Sequence, residues 1–149
     1  MYIIYGAGEK GRRTLIKCRD VGITNVIFTD SNPNLWGMEI DGIKVINPQN
    51  IIYDEVDLII ISMGYRDYCD VSNYLKSKCS DEKISFYNEA IFMSENDCIN
   101  LGSIKFFQNK MKAGIYSKNQ IISVLDPDTF NDIDKFIYQS NHQQIHKFI

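Results

Sequence analysis

Three glycines spaced Gly6-x-Gly8-x-x-Gly11 carry the first chemistry legible in this chain. Gly6 frees the backbone to turn sharply off the apolar run before it. Gly8 takes a Cβ away from the place where an anion could approach backbone N–H groups. Gly11 lets a following helix pack closely on the preceding run. A helix opening at such a loop offers unpaired N–H donors and a partial positive charge, which suits phosphate. Ala7, Glu9 and Lys10 complete the loop. Asp30 stands 24 residues after Gly6, close to the ~20 at which an acid meets a ribose in dinucleotide sites. A carboxylate there accepts from a ribose 2′-OH and repels a 2′-phosphate, so it favours NAD over NADP. Ser31 follows on the same rim. Ser62-Met63-Gly64 forms a second candidate rim, where a small hydroxyl and a glycine suit a ribose or diphosphate close to backbone. Arg66 could pair with a phosphate or a sugar acid. Lys10, Arg12 and Arg13 flank the loop, and an exposed helix surface explains them equally well.

Other patterns lead to less. Tyr74-x-x-x-Lys78 has the spacing of a short-chain dehydrogenase pair. It comes too soon after the glycine loop for that role, and reads as a solvated helix face. His142-x-x-x-His146 puts two imidazoles on one helical face, but Gln143 stands where a zinc protease needs its glutamate and no third ligand is evident. Asp126, Asp128, Asp132 and Asp134 suit a helix start and lack the glycine and terminal glutamate of a calcium loop. No metal is expected.

The elements that must hold the loop follow from periodicity. Tyr2–Tyr5 is a short apolar run ending at glycine, a buried strand. A helix follows from about Gly8 to Asp20, stopped by Val21-Gly22. Residues 25–30 form a second strand, which completes a βαβ unit and a parallel pair. Ser31–Asn34 is loop by composition. Asp41-Gly42 between Met38–Ile40 and Ile43–Ile46 predicts a type I′ hairpin, because both central residues need positive φ. Pro48–Tyr53 is a short helix or turn. Residues 57–62 form the strongest strand, whose unbroken apolar centre Leu58–Ile61 suits the middle of a parallel sheet. Tyr68, Val71, Leu75 and Cys79 recur at helical spacing over 67–79. Residues 84–87 form a further strand, and 88–93 are ambiguous.

The last fifty residues change character. Ile104–Lys112 fits a helix, and Gln120–Leu125 fits strand or helix. Asp126-Pro127 is a good helix start, leading to a helix with Phe130, Ile133, Phe136 and Ile137 on one face. That face could pack on the chain's own sheet or make a homodimer. The organisation expected is therefore a nucleotide-binding domain over 1–100 and a mainly helical extension over 101–149.

Composition narrows the class. The 149 residues suit a single domain, and 44% hydrophobic residues can fill a core. Net charge is −3, with 10 Lys+Arg against 15 Asp+Glu in residues 1–100 and 6 against 4 in residues 101–149, which gives no electrostatic case for nucleic acid. The four cysteines form no CxxC pair and read as reduced thiols. No apolar stretch approaches the ~20 residues of a membrane span, and Met1 runs straight into a strand without a basic leader region. A cytoplasmic protein is expected.

Ile4–Gly11, Asp30 and the run Asn34-Leu35-Trp36-Gly37-Met38-Glu39-Ile40-Asp41-Gly42-Ile43-Lys44-Val45-Ile46 together resemble one arrangement. It is that of the Rossmann-type N-terminal domains of bacterial polysaccharide-biosynthesis proteins, the nucleotide-sugar dehydratases and epimerases and the sugar O-acyltransferases. The resemblance covers roughly residues 1–93. It implies a three-layer α/β fold with a mainly parallel sheet and an inserted hairpin. It also implies binding of NAD(P) or a nucleotide-sugar at Gly6, Gly8, Gly11 and Asp30. Neither an acyltransferase repeat nor a catalytic dehydratase domain is legible in residues 101–149. Three functions stay open: a binding domain; a small NAD-dependent epimerase, dehydratase or oxidoreductase completed by oligomerisation; and an interaction module with a vestigial nucleotide site.

Overall fold

The computed structural model describes residues 1–90, 94, 95, 110 and 112–114. The chain divides into two compact units, one of residues 1–63 and 67–92, the other of residues 64–66 and 93–149. The helices expected over 104–112 and from Asp126 onward lie largely or wholly outside the described residues, as do the His142/His146 pair and the apolar face proposed for dimerisation.

The first unit is built on a six-stranded, mostly parallel sheet. In chain order the strands are β1 (Tyr2–Tyr5), β2 (Val26–Thr29), β3 (Glu39–Ile40), β4 (Ile43–Ile46), β5 (Leu58–Ile61) and β6 (Ile84–Phe86). Their spatial order is β3-β4-β2-β1-β5-β6. Only β3 runs antiparallel, paired to β4 across the predicted hairpin. Two helices connect the strands, α1 (Glu9–Asp20) and α2 (Tyr65–Lys76). The second starts two residues earlier and ends three residues earlier than apolar spacing predicts. Ser77 and Lys78 hydrogen-bond back to Tyr74 and Leu75 in turns, so the periodicity outlasts the helix. Residues 48–53 resolve into two 3₁₀ turns, Pro48–Asn50 and Tyr53–Glu55.

Register explains the core. Ile3 is level with Ile27 and Ile59, and Ile4 with Phe28 and Ile60. Side chains alternate faces along a strand. One face therefore carries Ile3, Tyr5, Ile59 and Ile61, packed with Ile51, Val56 and Leu75 of α2. The other carries Ile4, Phe28 and Ile60, all fully buried. On that side Gly11 of α1 approaches the Phe28 ring, and Leu15 and Cys18 of the same helix are buried. Burial raises the Cys18 thiol to about 11, so it stays protonated. Both faces of the central strands are thus covered, which is why they read as unbroken apolar runs.

Local signals set the boundaries. α1 ends where Gly22 takes φ +82°. The Ile23 N–H donates to the Cys18 carbonyl and the Gly22 N–H to the Arg19 carbonyl, the paired closure of a Schellman cap. Asp41 and Gly42 take φ +52° and +82°, as a type I′ turn requires. The Arg12 guanidinium grips the Asp41 carboxylate through two hydrogen bonds of 2.9 and 3.1 Å. Arg19 donates to the Asp41 carbonyl. The helix thereby holds the hairpin turn.

Candidate functional site

The glycine loop stands at the carboxyl end of β1, between the carboxyl ends of β2 and β5. Gly6 has φ +113°, and a Cβ on it would lie 2.5 Å from the Ser62 carbonyl oxygen. Both its conformation and its surroundings demand glycine. Gly11 is held for another reason: its Cβ would lie 1.8 Å from the Gly6 carbonyl oxygen. The helix sits directly on the turn, and only a bare α-carbon fits. Gly8 differs from both. It is the N-cap of α1, exposed, with no side chain capping the helix. Nothing lies within 4 Å of where its Cβ would stand. Two of the glycines build the loop, and the third opens it to solvent.

Asp30 closes the loop from the side. One carboxylate oxygen accepts the Ala7 N–H at 2.9 Å and the other accepts the Asn32 N–H at 2.9 Å. A carboxylate has about four acceptor positions, so both oxygens retain capacity for a further donor. Ser31 follows with its hydroxyl 2.9 Å from the Tyr5 phenol oxygen. Burial lifts the Tyr5 phenol above its ordinary value, with the Ser31 hydrogen bond working the other way. Trp36 donates its indole N–H to the Asp30 carbonyl at 2.7 Å.

The second rim behaves differently. Ser62 is 3% exposed, and its hydroxyl lies 2.8 Å from that of Thr14 in α1. This hydroxyl ties strand β5 to the helix beneath the loop. Met63 is half-buried, with its methyl near Gly6. Gly64 and Arg66 belong to the second compact unit. Of the charged neighbours, Glu9 is exposed and pairs with Arg13 one helical turn on, while Arg12 is tied to Asp41. Lys10 is half-buried.

Sequence reasoning passed over a cleft beside the loop. It measures about 380 Å³ and is lined among others by Tyr5, Ser31, Trp36, Asn47, Asp70 and Tyr74. It opens on the α2 side of the sheet, at the carboxyl ends of β1, β2 and β4. Tyr74 lines the cleft and packs half-buried against the core rather than on a solvated helix face, while Lys78 is exposed just past the end of α2. The Lys78 ammonium stands 5.7 Å from the centre of the Tyr74 ring, a cation–π contact. Nearby, burial and then the proximity of Tyr74 push the Tyr53 phenol well above its ordinary value. The sequence signal for this cleft was aromatic content alone, which core packing explains equally well.

The family described as C2185-like, N-terminal, matches residues 1–85, and the chain belongs to it. No curated protein and no solved structure matches the chain. Among the described residues, no helix is long and apolar enough to cross a membrane.

Proposed function

We propose that this C2185-like N-terminal domain binds a nucleotide through its diphosphate, as NAD or a nucleotide-sugar, at the carboxyl edge of its sheet. The observation that carries the reading is the division of labour among the three glycines. Gly6 and Gly11 are fixed by close approach, and Gly8 leaves open space at an uncapped helix start. Phosphate suits that position, since it meets N–H donors without a Cβ in the way. The topology supports it. Strands β4-β2-β1-β5-β6 follow the doubly wound order, in which the chain leaves β1 in opposite directions on its two sides. Ligands of such sheets lie in the crevice that this reversal makes. This order supports reading the fold as Rossmann-like. The Asp30 carboxylate beside the loop favours a ribose with a free 2′-hydroxyl, hence NAD over NADP.

The setting proposed is cytoplasmic sugar-nucleotide or surface-polysaccharide metabolism, on the strength of the hairpin motif. Binding is the activity assigned. Hydride transfer would also need an acid or base beside the reacting carbon.

Thermal unfolding with NAD, NADP, UDP-glucose and UDP-N-acetylglucosamine tests this. At a ligand concentration 100-fold above Kd, binding stabilises a domain by about 2.7 kcal/mol, which shifts Tm by several degrees. NAD is expected to shift it more than NADP. No shift with any of the four at millimolar concentration would overturn the reading.

A further inference from the structure

We propose that the cleft beside the glycine loop is a nucleobase pocket, with Trp36 as its stacking platform. The inference rests on the reading that the loop takes the diphosphate. It names what lies at the other end of the ligand and which residue selects it.

Continuity along the chain comes first. Tyr5 lines the cleft and directly precedes Gly6, while Ser31 lines it and directly follows Asp30. The cleft therefore adjoins, along the chain, both the loop proposed for phosphate and the acid proposed for ribose. A cleft of about 380 Å³ falls in the size range of small-molecule sites.

The second argument is how firmly Trp36 is held. Its indole N–H is fixed to the Asp30 carbonyl, and its own N–H donates to the Pro33 carbonyl. Asn32 caps the 3₁₀ turn before it by accepting the Asn34 N–H, and Gly37 just after it donates to the Val45 carbonyl. Yet the residue remains 36% exposed at the cleft. A large aromatic ring oriented by hydrogen bonds, but left open, is a surface ready for a flat partner. Because its nitrogen is already engaged, it offers a π-face rather than a donor.

The third argument is the rim. The Asn47 carbonyl oxygen accepts the Gln49 N–H, leaving its amide N–H₂ as donor. Tyr5 and Ser31 hydroxyls can donate or accept, and the exposed Asp70 carboxylate accepts. This mixture of donors and acceptors around an aromatic floor matches a heteroaromatic base, which carries both on its edge.

Trp36 is the chain's one tryptophan, so its fluorescence reports on this cleft. The experiment titrates the protein with ADP, UDP, ribose 5-phosphate, glucose 1-phosphate and pyrophosphate. Fluorescence is followed alongside calorimetry, with Trp36→Ala and Trp36→Phe compared. ADP and UDP should quench the fluorescence, and the three ligands without a base should not. Trp36→Ala should weaken ADP and UDP by roughly tenfold or more, leave pyrophosphate unchanged, and be largely rescued by Trp36→Phe. Two results would overturn the pocket while sparing the phosphate loop. One is that ADP and UDP bind no better than pyrophosphate, without quenching. The other is that glucose 1-phosphate quenches as they do, which makes the cleft a sugar site. If not even pyrophosphate binds, both readings fall.

Discussion

The chain contains two glycine turns that look alike in sequence and work by different physics. At the hairpin, Gly42 is needed for its φ of +82°, and nothing lies within 4 Å of the place its Cβ would occupy. At the glycine loop, Gly11 is needed for space alone, because the Gly6 carbonyl sits 1.8 Å from the Cβ it lacks. The first glycine can be replaced at the cost of a strained conformation. The second cannot be replaced without moving a helix off a sheet. Glycine at a turn shapes the chain; glycine at a close approach shapes the packing of distant elements.

The largest expected effect comes from Gly11→Ala. Its helical backbone accepts alanine readily, so any loss is steric. Overpacking against rigid backbone should cost about 3 kcal/mol or more, read as a fall in Tm of more than about 10 °C. A variant as stable as the parent would break the distinction. Gly42→Ala comes next. A left-handed residue with a Cβ costs about 1–2 kcal/mol, while Gly42→Asn should recover part of this, since asparagine tolerates that region. Equal losses for alanine and asparagine would show that the hairpin glycine is also packed.

Gly8→Ala sharpens the comparison from a third side. Its φ is −88° and the space beside it is open. Stability should fall only by about 0.5–1 kcal/mol, the difference between glycine and alanine at an N-cap. Nucleotide affinity should fall further, by about tenfold, measured by calorimetry, because the methyl group occupies the approach to the helix N–H groups. A drop in stability that exceeds the drop in binding would place Gly8 with Gly11 as a packing glycine.

Asp41→Asn has the smallest effect. Asparagine keeps the turn conformation and removes the charge facing Arg12. That guanidinium holds the Asp41 carboxyl below the ordinary carboxylate range. The ion pair therefore contributes at neutral pH, and its contribution fades as pH falls through the lowered pKa. Both partners are solvent-exposed, so the difference at neutral pH should be slight. The acid limb of the parent's stability curve should fall more steeply than the variant's. Parallel acid limbs would remove the ion pair from the account of the hairpin.

Elements set by local requirements were legible in advance. The glycine loop, the Asp41-Gly42 turn and the buried run of β5 each follow from residues within a few positions of one another. Spacing suggested a ribose role for Asp30 and gave no sign of its bonds within the loop. Its bonds to Ala7 and Asn32 depend on where β2 stops. The Thr14–Ser62 pair joins residues 48 apart, and a threonine in a helix carries no mark of the serine it will meet. The cleft was hidden for the same reason. Tyr5, Trp36 and Tyr74 come from three separate elements, and aromatic residues in a core and at a site have the same local pattern. The early start of α2 was missed because Tyr65 and Arg66 precede the apolar repeat.

Asp30 gives the loop and the segment after β2 a common fastening. One carboxylate restrains the amide of Ala7 and the amide of Asn32 together, and the carbonyl of the same residue anchors the Trp36 indole. An opening that swings the Asp30 side chain away releases both amide hydrogens. The exchange rates of Ala7 and Asn32 should therefore rise and fall in step, and a ligand engaging Asp30 should slow both at once. In that sense one side chain sets the tension of the whole rim.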